Sequence, residues 1–284
     1  MRREFLKRSA QILLGAGLAK GANPLAAFGQ TQGNGKIPTR PLGQTGHRVT
    51  LFSLGGEGVL RTHGRRKEAL RVIHQAIDLG VNYCDTAPAY DQSQDYYGEV
   101  LASRRKEVFL ASKTHERSRD GSLRLLEDSL VRLHTDHLDL WQLHDLRTEE
   151  DLDQIFGKDG ALEAVEEAKR QKLVRFAGIT GHYDPRILLK AIERYPFDTV
   201  LAAVNAADRH RLSFIEILMP KALEKKMGVI AMKVLSRGDI LKKGGIESAR
   251  DAISYVLSLP VSTALIGCTT PEEVIENVEI AKNF

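Results

Sequence analysis

Short apolar runs of strand type alternate with amphipathic segments along most of this 284-residue chain. Runs rich in β-branched or aromatic residues predict strands, whereas apolar positions at i, i+3, i+4 and i+7 predict helices. Strands are predicted at residues 51–54, 81–84, 108–112, 138–143, 176–180, 199–204, 229–234 and 263–266. Helices are predicted at residues 67–79, 97–101, 122–133, 161–171, 185–194, 213–226, 248–259 and 272–281.

This alternation indicates the fold class. Repeated strand–helix units with short connections predict a parallel sheet, and eight such units predict an α/β fold, a closed (β/α)8 TIM barrel. Turn residues 43–46 separate two short extended runs, which predicts an N-terminal β-hairpin lid. An open doubly wound sheet is the alternative, but the glycine cluster at residues 55–58 does not match G-x-G-x-x-G.

Composition changes this picture only at the N-terminus. Hydrophobic content is 42% and charged content 27%, as in a soluble globular protein with a substantial core. The formal net charge of +4 comes from residues 1–29, whose charged residues are Arg2, Arg3, Lys7, Arg8 and Lys20 against Glu4 alone. The rest of the chain is therefore neutral, which argues against a nucleic-acid partner.

Residues 1–29 have the order of an export signal: a charged start, an apolar middle and a small-residue end. The R-R-x-F-L-K string at residues 2–7 resembles a twin-arginine signal, so we expect the twin-arginine export machinery as a partner and a periplasmic or extracytoplasmic location. A basic amphipathic N-terminus is the alternative. The apolar segment is too short for a stable membrane span. A linker is expected at residues 30–37 and the barrel at 38–284.

Polar side chains follow three successive predicted strands. Asp85, Lys113 and His144 stand at the ends of the second, third and fourth strands, and Tyr90 follows Asp85 in the next loop. Each alone has a structural explanation: a turn cap for Asp85, a solvated loop lysine, and a core histidine. In a barrel, however, all four would converge on the rim formed by the carboxyl ends of the strands, where active sites lie.

Three strings carry a family resemblance: D-T-A-P-A-Y at residues 85–90, A-S-K-T at 111–114 and D-L-W-Q-L-H-D at 139–145. In that order they resemble the aldo-keto reductase superfamily, and the resemblance extends roughly over residues 41–277. It implies hydride transfer between NAD(P) and the carbonyl carbon of an aldehyde, ketone or sugar. It also implies the site roles: Tyr90 as acid/base, Lys113 as the cation that lowers its pKa, Asp85 as the anion holding Lys113, and His144 as the donor that orients the carbonyl oxygen.

The resemblance is weaker on the nicotinamide side of the implied cofactor site. The family usually has Ser-Asn after the fifth strand, Gln on the sixth and an aromatic residue on the seventh, where this chain has Thr180-Gly181, Ala203 and Met232. Thr180 and Met232 can still contact the ring. Because the side-chain amides are missing, we expect the nicotinamide to be bound more loosely, or to be bound by Asn205 or His182 instead. His182 could equally contact substrate or be a plain loop residue.

The phosphate and adenine side is better preserved. The remaining residues assigned to the cofactor are Gly55, Gly56, Lys233, Leu235, Arg237, Gly267, Thr269, Thr270, Glu273, Glu276 and Asn277. The start of the last helix is a natural anion site. Because Glu273 would repel a 2′-phosphate, NAD is slightly favoured over NADP.

Other functions remain open. A cofactor-sensing barrel with little catalysis fits the lost nicotinamide contacts, and a redox-neutral enzyme with tightly bound, recycled NAD(P) would reconcile export with this chemistry. A metal-dependent barrel hydrolase would need convergent His and carboxylate ligands, and no H-x-H marks the first strand, so no metal is expected. Cys84 and Cys268 are expected as buried reduced thiols rather than a disulfide.

Overall fold

The computed structural model describes residues 35–208, 212–242 and 245–284. The export signal and most of the linker lie outside these residues, so the signal, the export machinery and the periplasmic location stay predictions. Within the described residues, no helix is long and apolar enough to cross a membrane.

The strands are β1 (Thr39–Pro41), β2 (Arg48–Thr50), β3 (Phe52–Gly55), β4 (Tyr83–Asp85), β5 (Phe109–Thr114), β6 (Leu138–Leu143), β7 (Val174–Gly181), β8 (Thr199–Ala203), β9 (Gly228–Met232) and β10 (Thr263–Ile266). The α-helices are α1 (Arg66–Asp78), α2 (Ser93–Arg104), α3 (Arg119–Arg132), α4 (Glu149–Phe156), α5 (Ala161–Arg170), α6 (Pro185–Arg194), α7 (Phe214–Ile217), α8 (Met219–Glu224), α9 (Ala249–Leu257) and α10 (Pro271–Lys282). Short 3₁₀ helices lie at Gly58–Arg61, Arg105–Glu107 and Ser236–Leu241.

Strands β3 to β10 form a closed barrel in sequence order, and β10 pairs with β3 to complete it. All pairs in the barrel are parallel, as the βα repeats require. The predicted (β/α)8 barrel is therefore confirmed. The predicted hairpin is confirmed as well, since β1 and β2 pair antiparallel outside the barrel.

The hairpin closes the amino-terminal end of the barrel. Leu42 and Val49 are buried among the side chains that fill the barrel interior. Gly43, at φ +55°, lies so close to the start of β9 that a Cβ there would meet the amide nitrogen of Gly228 at 2.3 Å. The Arg40 guanidinium ties the hairpin to carbonyl oxygens after α9. The carboxyl ends of the strands are thus left for a functional site.

Alternation along the strands decides which side chains face the barrel interior. Residues two or four apart on one strand share a face. Tyr83, Phe109 and Leu140 pack together in the barrel interior. Each is followed, on the same face of its strand, by a polar residue, and these polar residues are Asp85, Lys113 and Gln142. The same period that fills the lower barrel with apolar side chains therefore points polar ones into its upper end.

Two helical regions differ from the expectation. Residues 213–226, predicted as one helix, form α7 and α8, with Leu218 between them and Pro220 in the first turn of α8. Proline lacks an N–H and cannot continue a helix from α7, but it costs no hydrogen bond in a first turn. Helix α4 was missed because it buries only Leu152 and Ile155, although a capping box of Thr148 and Asp151 starts it.

Candidate active site

The side chains predicted from the strand ends lie together at the carboxyl end of the barrel. Asp85 is the last residue of β4, Lys113 is on β5, and His144 follows β6 directly. The His144 amide donates to the Thr114 carbonyl oxygen at 2.8 Å, which extends the pairing of β5 and β6 past the strand end. Tyr90 lies in the loop after β4, where its amide donates to the Ala87 carbonyl oxygen at 3.0 Å.

Lys113 and Asp85 form an ion pair that is completely buried, with side-chain exposures of 0% and 1%. The Lys113 Nζ donates to Asp85 Oδ1 and, at 2.9 Å, to the Thr86 carbonyl oxygen. Gln142 Nε2 donates to Asp85 Oδ2 at 2.9 Å. Both carboxylate oxygens are therefore held, and the lysine is fixed in place. Gln142 was missed from the sequence, although it lies on β6 two residues before His144.

The pKa directions follow from burial and pairing. Burial raises the pKa of the Asp85 carboxyl, and Lys113 and Gln142 only partly offset this effect. Burial also works against the charge of Lys113, but the negative charge of Asp85 and the neighbouring Tyr90 leave the pKa of Lys113 above its usual value. Because both groups are completely buried, loss of either partner would leave the other as an unpaired charge, which is strongly destabilising.

Tyr90 lies over this ion pair. The Lys113 Nζ is 4.7 Å from the centroid of the Tyr90 ring, and the His144 ring meets Tyr90 edge-on at 5.7 Å between centroids. Burial raises the pKa of Tyr90, and Lys113 lowers it by less. Lys113 acts on this pKa in the direction that the resemblance implies, but burial has the larger effect. A phenol with a raised pKa stays protonated at neutral pH, which suits a proton donor.

His144 is held neutral. Burial lowers its pKa to about 2, and the positive charge of Lys113 adds to the effect. Arg117 fixes the backbone at this point by donating to the His144 carbonyl oxygen at 2.9 Å. A neutral imidazole offers one N–H donor, so His144 can donate to an oxygen placed between it and Tyr90.

Two further polar side chains follow β6 and β7. Asp145 has its Oδ2 occupied by Arg147, and its amide donates to the Thr180 hydroxyl oxygen at 2.8 Å. His182 Nε2 lies 4.0 Å from Asp145 Oδ1. Asp145 was missed from the sequence, although it directly follows His144. By contrast, the amide of Asn205 is used within its own loop, where it donates to the Lys233 carbonyl oxygen at 3.3 Å and accepts from the Ala207 amide at 2.9 Å.

Glycines at the ends of β3 and β10 lie where neighbouring parts of the protein approach closely. A Cβ on Gly56 would meet Ser93 Oγ at 2.5 Å, and one on Gly267 would meet the Glu57 carbonyl carbon at 2.9 Å. Gly55 ends β3 beside them. These glycines therefore let the chain segments that follow β3, β4 and β10 pack closely against one another. Thr180 and Met232 are buried at the carboxyl ends of β7 and β9.

The aldo/keto reductase family matches residues 52–244, which is more than half of the chain. The chain belongs to this family. Over 80% of this chain and 86% of its relative, it is 25% identical to the uncharacterized oxidoreductase YqkF of Bacillus subtilis. It is likewise 25% identical to the L-galactose dehydrogenase of Arabidopsis thaliana, over 86% of this chain and 88% of that protein.

A similar solved structure is an aldo/keto reductase from Klebsiella pneumoniae in complex with NADP and acetate. The TM-score is 0.72 and the identity 21%, over 87% of this chain and 89% of the other. This likeness shows the fold. The family match and the oxidoreductase relatives together show that the protein is a carbonyl–alcohol oxidoreductase.

In this aldo/keto reductase, the loop after β9 forms an ion pair with the loop after β3. Lys233 and Arg237 are exposed and both have left-handed backbones, at φ +56° and +57°. Arg237 NH2 lies 3.5 Å from Glu57 Oε2, so this loop reaches across to the loop after β3. Leu235 is half-buried between them in sequence. The ion pair between Arg237 and Glu57 was not expected from the sequence.

The start of α10 already holds a carboxylate. Glu273 accepts from the Thr269 amide and from the Thr269 hydroxyl, both at 2.6 Å. The Thr270 hydroxyl caps the helix by accepting from the Glu273 amide at 3.3 Å. The negative charge expected near this helix start is therefore fixed in place.

The last two residues assigned to the cofactor differ in exposure. Glu276 is exposed, whereas Asn277 is buried and donates to Cys268 Sγ at 3.4 Å. Cys84 and Cys268 are both buried and free, as expected. Among residues 35–208, 212–242 and 245–284, no group of three or more His, Cys, Asp and Glu side chains could hold a metal ion.

Proposed function

We propose that the protein is an NAD(P)-dependent oxidoreductase in which Tyr90 exchanges a proton with the oxygen of a carbonyl or alcohol substrate. The observation that carries this proposal is the buried Lys113–Asp85 ion pair directly beneath the Tyr90 ring, with the His144 ring edge-on beside it. When bound, the nicotinamide cofactor supplies or accepts the hydride.

Each residue then has a role that follows from its surroundings. Neutral His144 donates a hydrogen bond to the substrate oxygen, and Tyr90 gives that oxygen its proton as negative charge develops there. Lys113 offsets the charge left on the Tyr90 oxygen. Asp85 and Gln142 hold Lys113 in position. In the direction of alcohol oxidation, the ionised Tyr90 oxygen takes the proton back.

The residues of this chain fit a nicotinamide dinucleotide. Buried Thr180 and Met232 lie at the carboxyl ends of β7 and β9, the same end of the barrel as Tyr90 and His144, where a flat ring would bind. The residues that would hold its other parts are Lys233, Leu235, Arg237, Thr269, Thr270, Glu273, Glu276 and Asn277. The substrate class is an aldehyde, a ketone or a sugar, and the L-galactose dehydrogenase relative supports a sugar.

The test is Tyr90→Phe, assayed by loss of NADH absorbance with a panel of aldehydes and sugars. Removal of one general acid lowers turnover by about 100- to 10,000-fold. The dissociation constant for NADH should stay nearly unchanged. Tyr183→Phe is the matched control, because Tyr183 is 58% exposed on the loop after β7. Turnover by Tyr90→Phe equal to that of the control would refute the assignment.

A second function is favoured by one observation. Gly181 and Ala203 offer no side-chain amide where the family resemblance implies nicotinamide contacts. A barrel that binds the dinucleotide to signal its presence, with little catalysis, would tolerate this loss. Dinucleotide binding without turnover of any carbonyl in the panel would favour this function over the reductase.

We also propose that NAD is preferred over NADP. The Glu273 carboxylate is held at the start of α10 by Thr269, and a fixed negative charge repels a 2′-phosphate nearby. Wild-type protein should bind NADH more tightly than NADPH, and Glu273→Gln should narrow that difference. Glu272→Gln, which changes an exposed neighbour on the same helix, is the control. Tighter binding of NADPH to the wild-type protein would reject this preference.

A further inference from the structure

Two buried polar atoms beside the site have no hydrogen-bond partner within the part of the chain that the structure describes. They are Asp145 Oδ1 and His182 Nδ1. Buried polar atoms are normally bonded, and leaving one unpaired costs about 1–3 kcal/mol. The two residues follow the neighbouring strands β6 and β7 at the carboxyl end of the barrel, so the two atoms indicate a place where a ligand supplies the missing partners.

The backbone around Asp145 aims its free oxygen. Asp145 has a left-handed backbone at φ +55°, fixed by donation of its amide to Thr180 and by donation from Arg117 to its carbonyl oxygen at 3.1 Å. Arg147 occupies Oδ2 at 2.8 Å. Among the described residues Oδ1 has no hydrogen-bond partner, so the carboxylate offers one oriented acceptor.

His182 completes the pair of groups. Its Nε2 is 4.0 Å from Asp145 Oδ1, too far for a hydrogen bond. Burial lowers the pKa of His182 to about 4, so the ring is neutral at neutral pH and carries one donor and one acceptor nitrogen. His182 directly follows β7, so it lies at the carboxyl end of the barrel, the same end as Tyr90.

The other positions near this end of the barrel offer a ligand fewer polar side-chain groups than Asp145 and His182. A Cβ on Gly181 would meet Leu188 Cδ2 at 3.0 Å and the Leu146 carbonyl oxygen at 3.1 Å, so this position is crowded, and glycine itself offers no polar side chain. Asn205 is bonded within its own loop. Thr180 uses its oxygen to accept from Asp145 but keeps its hydroxyl proton to donate.

A primary carboxamide matches these groups. It presents two N–H donors and one carbonyl acceptor, while the site offers the Asp145 oxygen, a ring nitrogen of His182 and the Thr180 hydroxyl. In nicotinamide, the carboxamide is carried by the carbon next to the one that exchanges the hydride. It must therefore bind near the groups that hold the carbonyl, and Asp145 is adjacent to His144.

We propose that Asp145 and His182 bind the nicotinamide carboxamide and so fix which face and edge of the ring meets the substrate. The inference rests on the proposed function, because it requires that the protein bind a nicotinamide dinucleotide. Both residues are cofactor-positioning residues. Neither is assigned a proton transfer in the reaction.

The test compares NADH with its reduced 3-acetylpyridine analogue, in which a methyl group replaces the carboxamide NH2. Fluorescence titration should show that wild-type protein prefers NADH by about tenfold, the worth of a hydrogen bond to a charged acceptor. In Asp145→Ala this preference should disappear, and in His182→Ala it should shrink. Asp153→Ala, which removes an exposed carboxylate of α4, should keep it.

Binding of ADP-ribose separates recognition from folding, because this ligand has no nicotinamide ring. Its dissociation constant should be the same in all four proteins. If Asp145→Ala lost ADP-ribose binding through misfolding, His182→Ala alone would decide the question. If the folded variants still preferred NADH over the analogue by tenfold, the inference would be overturned. If they also had a raised KM for the carbonyl, Asp145 and His182 would instead be assigned to substrate binding.

The two proposals fail in different ways. Wild-type protein that binds neither NADH nor ADP-ribose would overturn the proposed function and this inference together. Wild-type protein that binds NADH and reduces a carbonyl, but does not distinguish NADH from the acetylpyridine analogue, would overturn this inference alone.

Discussion

Two buried carboxylates, Asp85 and Asp139, lie at opposite ends of the same barrel and are both held by cations. Asp85 ends β4 and is bonded by Lys113 and Gln142. Asp139 lies near the start of β6. It accepts from Arg105 at 2.8 Å, from Arg175 at 2.7 Å and from the Leu110 amide at 2.9 Å.

The pKa values of the two carboxyl groups move in opposite directions. Burial works against the charge of both. At Asp139, however, Arg105, Arg175 and the Leu110 amide together outweigh burial and lower the pKa. At Asp85 burial prevails and the pKa is raised. The arginines reach solvent, with 17% and 44% exposure, whereas Lys113 is completely buried.

The difference teaches what separates a structural ion pair from one that supports chemistry. Arg105 uses its guanidinium to tie Asp139 to the backbone of neighbouring loops, at the carbonyl oxygens of Val108 and His137. Lys113 faces a third group, the Tyr90 ring, which can exchange a proton. Burial and pairing are common to both sites, and the third group is what decides the role.

The largest expected effect is that of Lys113→Met. Turnover should fall by about 1,000-fold or more, since Tyr90 loses the cation beside it. The free energy of unfolding should fall by about 3–5 kcal/mol, because Asp85 is left as an unpaired buried charge. Steady-state kinetics and urea unfolding measure the two effects.

A double variant sharpens this prediction. Adding Asp85→Leu to Lys113→Met removes the unpaired charge, so part of the lost stability should return while turnover stays low. Recovery of turnover in the double variant would contradict the role given to Lys113.

The sequence predicts most of the fold and the catalytic side chains for the same physical reason. Strand periodicity is local, so β6 and β10 were predicted with their observed bounds. A closed parallel barrel then brings successive strand ends together whatever the loops do. Asp85, Lys113 and His144 therefore needed only their place on a strand to be found.

What the sequence did not predict depends on contacts between loops or on burial. The ion pair of Arg237 with Glu57 joins loops far apart in the chain. The direction of the Tyr90 pKa depends on how much protein surrounds the phenol, which no local pattern shows. Gln142 is different. The alternation along β6 predicts that its side chain points into the barrel, but no motif indicates that it has a role in the site.

Asp139→Asn tests the structural half of the comparison. At neutral pH the variant should lose about 1–3 kcal/mol of stability, because a buried charged acceptor of three hydrogen bonds is lost. Its kcat/KM should match that of wild-type protein, since Asp139 lies at the amino-terminal end of the barrel, away from Tyr90 and His144. Urea unfolding and steady-state kinetics measure the two quantities.

The pH dependence of that loss has a definite sign. The folded-state pKa of Asp139 is below its usual value of 3.8, so its contribution is fully present above pH 3.8 and is lost as pH falls through the folded-state pKa. Unfolding curves at neutral and acid pH should show the two proteins converging in acid. A stability difference that stays constant with pH, or a reduced kcat/KM in the variant, would break the contrast with Asp85.

The smallest expected effect is that of Gln142→Leu, which tests whether Asp85 needs its second donor. Lys113 remains, so turnover should fall by only about three- to tenfold, the worth of one hydrogen bond to a charged group. Loss of the Gln142 donor removes an influence that lowers the pKa of Asp85, so any acid limb of the pH–rate profile should move to higher pH.

Gln94→Leu is the matched control. Gln94 is also a buried glutamine, it donates to Ser112 and Ser129, and its Oε1 likewise has no partner among the described residues. If Gln94→Leu changed the pH profile as much as Gln142→Leu, the effect would come from general loosening of the barrel and not from the Asp85 carboxylate.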